Sequence, residues 1–243
     1  MKPQIMTLEE LLVAGEVRPS QEWQLRASRS DQCLSYVVWN TKSREALVID
    51  PKDEDRSAYQ AIASELTGYR WLGVIDSHTH ADHVSIAAEL AKELGAPLMM
   101  QAGAPSQRVQ LRISKDVILS SQAAPLQLVL TSGHTQDSIT PLWGPFLFGG
   151  DTLLYGDTGR DDLPGGDAEA HYDSVQKLKG LVNPSTLVLP GNEPMQGRTS
   201  TWATQLKVNS ALTQSREQFV RESNAFDAPA PMLLKKSLRE NFR

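Results

Sequence analysis

Short apolar runs alternate with stretches of helical periodicity along this chain, and nearly every run stops at a polar cluster. Cys33 to Asn40 and Ala46 to Pro51 are apolar runs separated by Asn40-Thr41-Lys42-Ser43, a turn composition that predicts two paired strands. Ser57 to Leu66 carries Tyr59, Ile62 and Leu66 at helical spacing, and Trp71 to Ile75 follows as a strand ending in Asp76-Ser77. Val84, Ala87, Leu90, Ala91 and Leu94 share one helical face, with Gly95 in the position of a C-terminal cap. Ala168 to Val182 is a further helix, with Tyr172, Val175 and Leu178 in register as core residues. Thr7 and Glu10 have capping-box spacing and open a short helix near the start. The basic tail from Leu233 to Arg243 presents no obvious packing face.

The polar clusters hang from strand ends. His78-Thr79-His80-Ala81-Asp82-His83 follows the Trp71 run, Gly133-His134 follows Leu126 to Leu130, Asp151 follows Phe146 to Phe148, and Gly191-Asn192 follows Thr186 to Leu189. Strands that present loops along one sheet edge are common in layered α/β folds, so these clusters are expected to converge. There is no internal repeat or linker, and residues 1–243 are expected to form a single domain.

The composition narrows the field. A net charge of −5 and a pI near 5.6 offer no general attraction to nucleic acid or anionic membranes, and no apolar run reaches membrane-helix length. The first residues lack the apolar stretch of a signal peptide, and a cytoplasmic protein is expected. Cys33 is the single cysteine, which excludes an internal disulfide and a cysteine-based metal cluster; it is read as a buried strand residue.

The chain has five histidines, and three of them lie within six residues together with Asp82. Imidazole and carboxylate are the ligands that borderline first-row metals prefer, so this loop reads as a metal site for one or two ions. His134 and Asp151 are ordinary turn residues when taken alone; beside the cluster they become candidate ligands. His171 is read as an exposed or packing residue.

His-x-His-x-Asp-His, Gly-His-Thr, Gly150-Asp151-Thr152 and a late Pro190-Gly191, in this order, resemble the metallo-β-lactamase-like superfamily. Thr41 to Pro51, Gly159-Arg160, Gly166-Asp167-Ala168, Tyr172 to Val175, Ser200-Thr201 and Asn209 make the resemblance specific to persulfide (sulfur) dioxygenases, relatives of glyoxalase II. The resemblance implies an α/β fold, a four-layer αββα sandwich, and one Fe(II) per chain held by His78, His134 and Asp151. It implies a mononuclear non-haem iron dioxygenase that oxidises glutathione persulfide or a related thiol persulfide, with O₂, to sulfite and thiol. A homodimer is expected from the same resemblance. His80, Asp82 and His83 would support the ligands or replace them, Asp50 would orient one of them, and Arg160 would bind an anionic substrate group.

The sequence departs from the superfamily pattern at four places. Asn192 stands where a histidine is usual, Pro194 where an aromatic residue is expected, Asp137 where glycine follows Gly-His-Thr, and Thr158 where a cysteine precedes Gly159-Arg160. Without a histidine at 192 the second metal position loses a ligand, which argues against a bridged two-zinc hydrolase. Two alternatives stay open: a Zn(II)-dependent thioester or lactone hydrolase using His78, His80 and His134 with Asp151, and a degenerate member that binds metal or thiol without turnover.

Overall fold

The computed structural model describes residues 4–12, 18–193 and 199–243. Among these, one sheet runs in order β1 (Gln4–Thr7), β2 (Trp23–Ser30), β3 (Cys33–Asn40), β4 (Glu45–Ile49), β5 (Arg70–Ile75), β6 (Leu98–Gln101) and β7 (Leu111–Ile113). The second sheet contains β8 (Val117–Leu119), β9 (Leu126–Leu130), β10 (Ile139–Trp143), β11 (Phe146–Gly150), β12 (Leu187–Pro190) and β13 (Ser200–Thr201), ordered from β13 down to β8. The helices are α1 (Leu8–Leu11), α2 (Arg56–Glu65), α3 (Ala87–Leu94), α4 (Ala168–Lys179), α5 (Trp202–Val208), α6 (Arg216–Asn224) and α7 (Leu234–Asn241).

Strand alternation sorts side chains between two faces, and three apolar clusters follow from it. Leu25, Tyr36, Val38, Leu47 and Ile49 meet Leu128, Trp143, Phe146, Phe148 and Leu189 between the sheets. Val37, Trp39, Val48 and Val74, on the opposite face of the first sheet, pack against Tyr59, Ile62 and Leu90 of α2 and α3. Val129, Leu147 and Val188 pack against Val175, Leu178, Trp202 and Phe219 of α4, α5 and α6. Helices therefore cover both outer faces, and the layers are α, β, β, α. No helix among the described residues is long and apolar enough to cross a membrane.

The predicted β3–β4 pair is antiparallel, with Tyr36 opposite Ile49. Two boundaries and one strand differ from the sequence reading. The helix expected from Val84 starts at Ala87, because the Ser85 hydroxyl, which bonds to Asp76, caps the Ala87 N–H at 3.0 Å. Helix α4 ends before Gly180 rather than at Val182. β10 went unread because Pro141 interrupts its composition, although Pro141 sits opposite Leu128 in the ladder.

β4 and β5 are parallel, as are β11 and β12, and β9 runs with β11 through the antiparallel β10 between them. Their C-terminal ends consequently share one rim. Ile139 N–H donates to the Ser77 carbonyl at 2.7 Å and Tyr36 Oη to the Pro190 carbonyl at 2.6 Å, joining the two sheets there.

Candidate metal centre

Asp50, at the end of β4, anchors the rim in a left-handed conformation (φ 52°). Its carboxylate accepts the Ser77 N–H at 2.6 Å and the Ser77 hydroxyl at 2.9 Å, and faces His80 Nε2 at 3.2 Å. Since that hydroxyl donates to Asp50, it is placed to accept from His78 Nδ1, 3.0 Å away. In this tautomer the His78 Nε2 lone pair is free. His134 is treated alike: its Nδ1 donates to the Arg160 carbonyl, and its Nε2 lies 3.6 Å from Asp151 Oδ2. Ligand atoms of His78, His134 and Asp151 all fall within 4.8 Å of one another.

The electrostatics separate the histidines by role. Burial, with His80 and His134 alongside, holds His78 well below the usual imidazole range, so it is neutral and has a lone pair to give. Burial and His80 likewise lower His83. His80 behaves oppositely: burial disfavours its cation, but Asp50 and Asp76 outweigh that and raise it to about 10. An imidazolium has no free nitrogen lone pair. His80 thus belongs with Asp50 and Asp76, a separate buried group within 4.8 Å, where burial pushes the Asp76 carboxyl up to about 7. Burial also raises Asp151, with Asp82 adding to it, whereas His83 holds Asp82 well below the usual carboxylate range despite burial.

Other side chains fix the loops. Asp137 Oδ2 accepts both the backbone N–H (3.1 Å) and the hydroxyl of Thr79, while its Oδ1 accepts the Thr135 hydroxyl at 2.7 Å. Asn241, in α7, donates to the His80 and His83 carbonyls at 2.9 Å and accepts the Ser85 N–H. At Gly133 (φ 148°) a Cβ would stand 2.2 Å from the Cα of His171, so glycine is required where the Gly-His loop crosses α4.

No family model matches the chain. Among curated proteins it is 32% identical over 162 residues to the probable polyketide biosynthesis zinc-dependent hydrolase PksB of Bacillus subtilis, covering 65% of this chain and 71% of that one. It is 26% identical over 211 residues to the mitochondrial persulfide dioxygenase ETHE1 of Bos taurus, covering 86% of this chain and 83% of the relative. The crystal structure of ETHE1 from Myxococcus xanthus superimposes with a TM-score of 0.81 at 26% identity, covering 90% of this chain and 97% of that chain. The chain belongs to the metallo-β-lactamase-like superfamily.

Against the superfamily pattern, Asn192 fills the late histidine's position with an amide. Its Nδ2 donates to Asp82 Oδ2 at 3.0 Å and to both Asp151 oxygens at 3.0 and 2.9 Å. Pro194 lies outside the described residues. Arg160 lines a cavity of about 550 Å³ with Asp151, Thr158 and Phe226. Four of its five N–H groups are already engaged, by Asp162 and by the carbonyls of Ala228 and Pro229. One N–H is left for an anion, and a two-pronged contact requires displacing one of these partners.

Several residues of the site carried no local signal. His171, expected to be exposed or packing, is fully buried, with its ring nitrogens at 2.9 Å from the Thr152 carbonyl and 3.1 Å from Asp161. Asn241 lies about as far along the chain from the histidine loop as the sequence permits. Cys33 is the larger correction: it is only partly buried, and its thiol donates to Asp82 at 3.0 Å. The bridge between Cys33 and Asn192, with the Leu34 N–H on the Gly191 carbonyl at 2.8 Å, brings it there.

Proposed function

We propose that the chain is an iron-dependent persulfide dioxygenase, with one Fe(II) held by His78, His134 and Asp151. The observation that carries this reading is the turn of His80 toward Asp50 and Asp76, which leaves two imidazoles and one carboxylate, His78, His134 and Asp151, grouped within 4.8 Å of one another. That donor set suits a redox-active first-row ion and leaves coordination positions open. Bound iron supplies the redox chemistry between O₂ and sulfur. The reaction balances as persulfide plus O₂ plus water giving thiol plus sulfite, the terminal sulfur losing the four electrons that O₂ gains.

The protein's own contribution is positional. Ser77 and the Arg160 carbonyl hold the two ring tautomers, and Asn192 orients Asp151. The cavity beside Asp151 and Arg160 is wide enough for a glutathione-sized thiol. The Asn192 amide also supports a single ion at this position, because N–H donors face Asp82 and Asp151 where a bridged second cation would need ligands.

Similarity to a zinc-dependent hydrolase favours a second reading, a Zn(II) enzyme acting on a thioester or lactone. Metal analysis of anaerobically purified protein, coupled to oxygen consumption with glutathione persulfide, separates the two. About one iron per chain with persulfide-dependent O₂ uptake is expected. Zinc occupancy, thioester hydrolysis and no uptake after iron reconstitution would replace the dioxygenase with the hydrolase.

A further inference from the structure

His171 joins segments that no sequence motif connects. It lies in α4, one turn after Asp167, whose carboxylate caps the helix by accepting the Glu169 and Ala170 N–H groups. The side chain is fully buried, and each ring nitrogen faces an acceptor. Nε2 is 2.9 Å from the carbonyl of Thr152, the residue after Asp151; because a carbonyl only accepts, this nitrogen donates. Nδ1 is 3.1 Å from Asp161 Oδ2, and the other Asp161 oxygen accepts the Ser223 hydroxyl of α6. Burial opposes the charge on Asp161, but His171 and Ser223 prevail and hold it below the usual carboxylate range.

The same ring sits where both ligand-bearing loops meet α4. Gly133, beside His134, packs against the His171 backbone with no room for a Cβ, and the Asp167 N–H donates to the Gly133 carbonyl at 2.8 Å. Arg160, beside Asp161, supplies the carbonyl that accepts from His134 Nδ1, and the Gly159 N–H donates to the Asp151 carbonyl at 2.8 Å. These backbone contacts do not need an imidazole at 171; the links to Thr152 and Asp161 do. A buried polar pair adds little net stability over an apolar filling of similar volume, so what this one contributes is geometry.

We infer that His171 and Asp161 are a positioning pair for the metal centre. Through the Thr152 carbonyl and residues 159–161 they set the spacing between His134 and Asp151, and so the geometry of the ion that these two share with His78. The inference rests on that ligand set, and on neither the identity of the ion nor the reaction.

Cobalt(II) titration of the metal-free full chain tests this, because the visible d–d band of bound cobalt reports the arrangement of its ligands. We expect His171→Leu to keep a native far-ultraviolet circular dichroism spectrum, to bind cobalt about tenfold more weakly than wild type and to show an altered band. His171→Gln retains an N–H for the Thr152 carbonyl and should restore the wild-type band and most of the affinity. Asp161→Ala leaves the helix untouched and should alter the band in the same sense as His171→Leu, a readout that needs no folded variant at 171. A wild-type band and affinity in His171→Leu or in Asp161→Ala would overturn the proposal. So would His171→Gln as impaired as His171→Leu, since the loss would then follow from packing rather than from the hydrogen bond. Cobalt retained with the wild-type band in His134→Ala would instead overturn the ligand set, and the positioning pair with it, so the two failures are told apart.

Discussion

Two imidazoles two residues apart, His78 and His80, end in opposite protonation states because their partners differ. Burial beside His80 and His134 holds His78 well below the usual imidazole range, while Asp50 and Asp76 outweigh burial and raise His80. Spacing alone cannot make that distinction, since both belong to one motif. It yields a comparison by metal analysis. Asp151→Ala and His134→Ala should each lose the iron, whereas His80→Gln should retain about one ion per chain with affinity weakened roughly 10–100-fold, as for a supporting partner. Loss of stoichiometric metal in His80→Gln, with Asp151→Ala unaffected, would move the ligand set to His78, His80 and His134.

Among the elements, the loops at the rim depend on braces from distant segments. Asp137 ties Thr79 of the histidine loop to Thr135 of the Gly-His loop, and α7 reaches back through Asn241. Both braces lie outside the histidine motif, and Asn241 is a polar residue in a basic tail remote from it in sequence. Strands β3, β4, β5 and β11 and helices α2 and α4 were legible because their apolar residues follow one period. β2 and β10 were not: Arg26 and Arg29 in one and Pro141 in the other mask patterns that strand pairing nevertheless accommodates. Asn241→Ala removes three hydrogen bonds to the loop. It should lower stability by about 1–3 kcal/mol in urea unfolding and weaken metal binding, while far-ultraviolet circular dichroism stays native. An unchanged metal affinity would reduce α7 to a packing element.

For the whole molecule, the joint between the sheets can be tested away from the metal. Glu45, at the start of β4, is buried with its carboxylate accepting N–H groups of Gln122 at 3.1 Å and Ala123 at 2.8 Å and pairing with Arg70. Burial opposes the charge, but Arg70 and those N–H donors prevail and hold Glu45 below the ordinary value of 4.5. A carboxylate lowered on folding contributes stability that is present above pH 4.5 and lost as the pH falls through the folded-state value. Glu45→Gln should therefore be about 1–3 kcal/mol less stable than wild type at pH 7, with the gap narrowing in acid; a constant gap would mean the charge is not responsible. Metal removal acts on the same global equilibrium. A chelator should lower Tm by about 2–4 °C per kcal/mol of binding energy lost, in wild type far more than in a triad variant.

The fold class, the superfamily and the rim residues His78, His134 and Asp151 could be read from the chain because each rests on local information: a hydrophobic period, a turn composition, or a short motif at a strand end. The partners of those residues could not. Whether His80 is a ligand or a cation depends on Asp50, thirty residues earlier. Whether Cys33 is strand filling or a partner of Asp82 depends on Asp82 and Asn192, brought to it by two sheets closing on each other. Protonation and ligand geometry are set by distances of a few ångströms between groups remote in sequence, and folding alone establishes those distances.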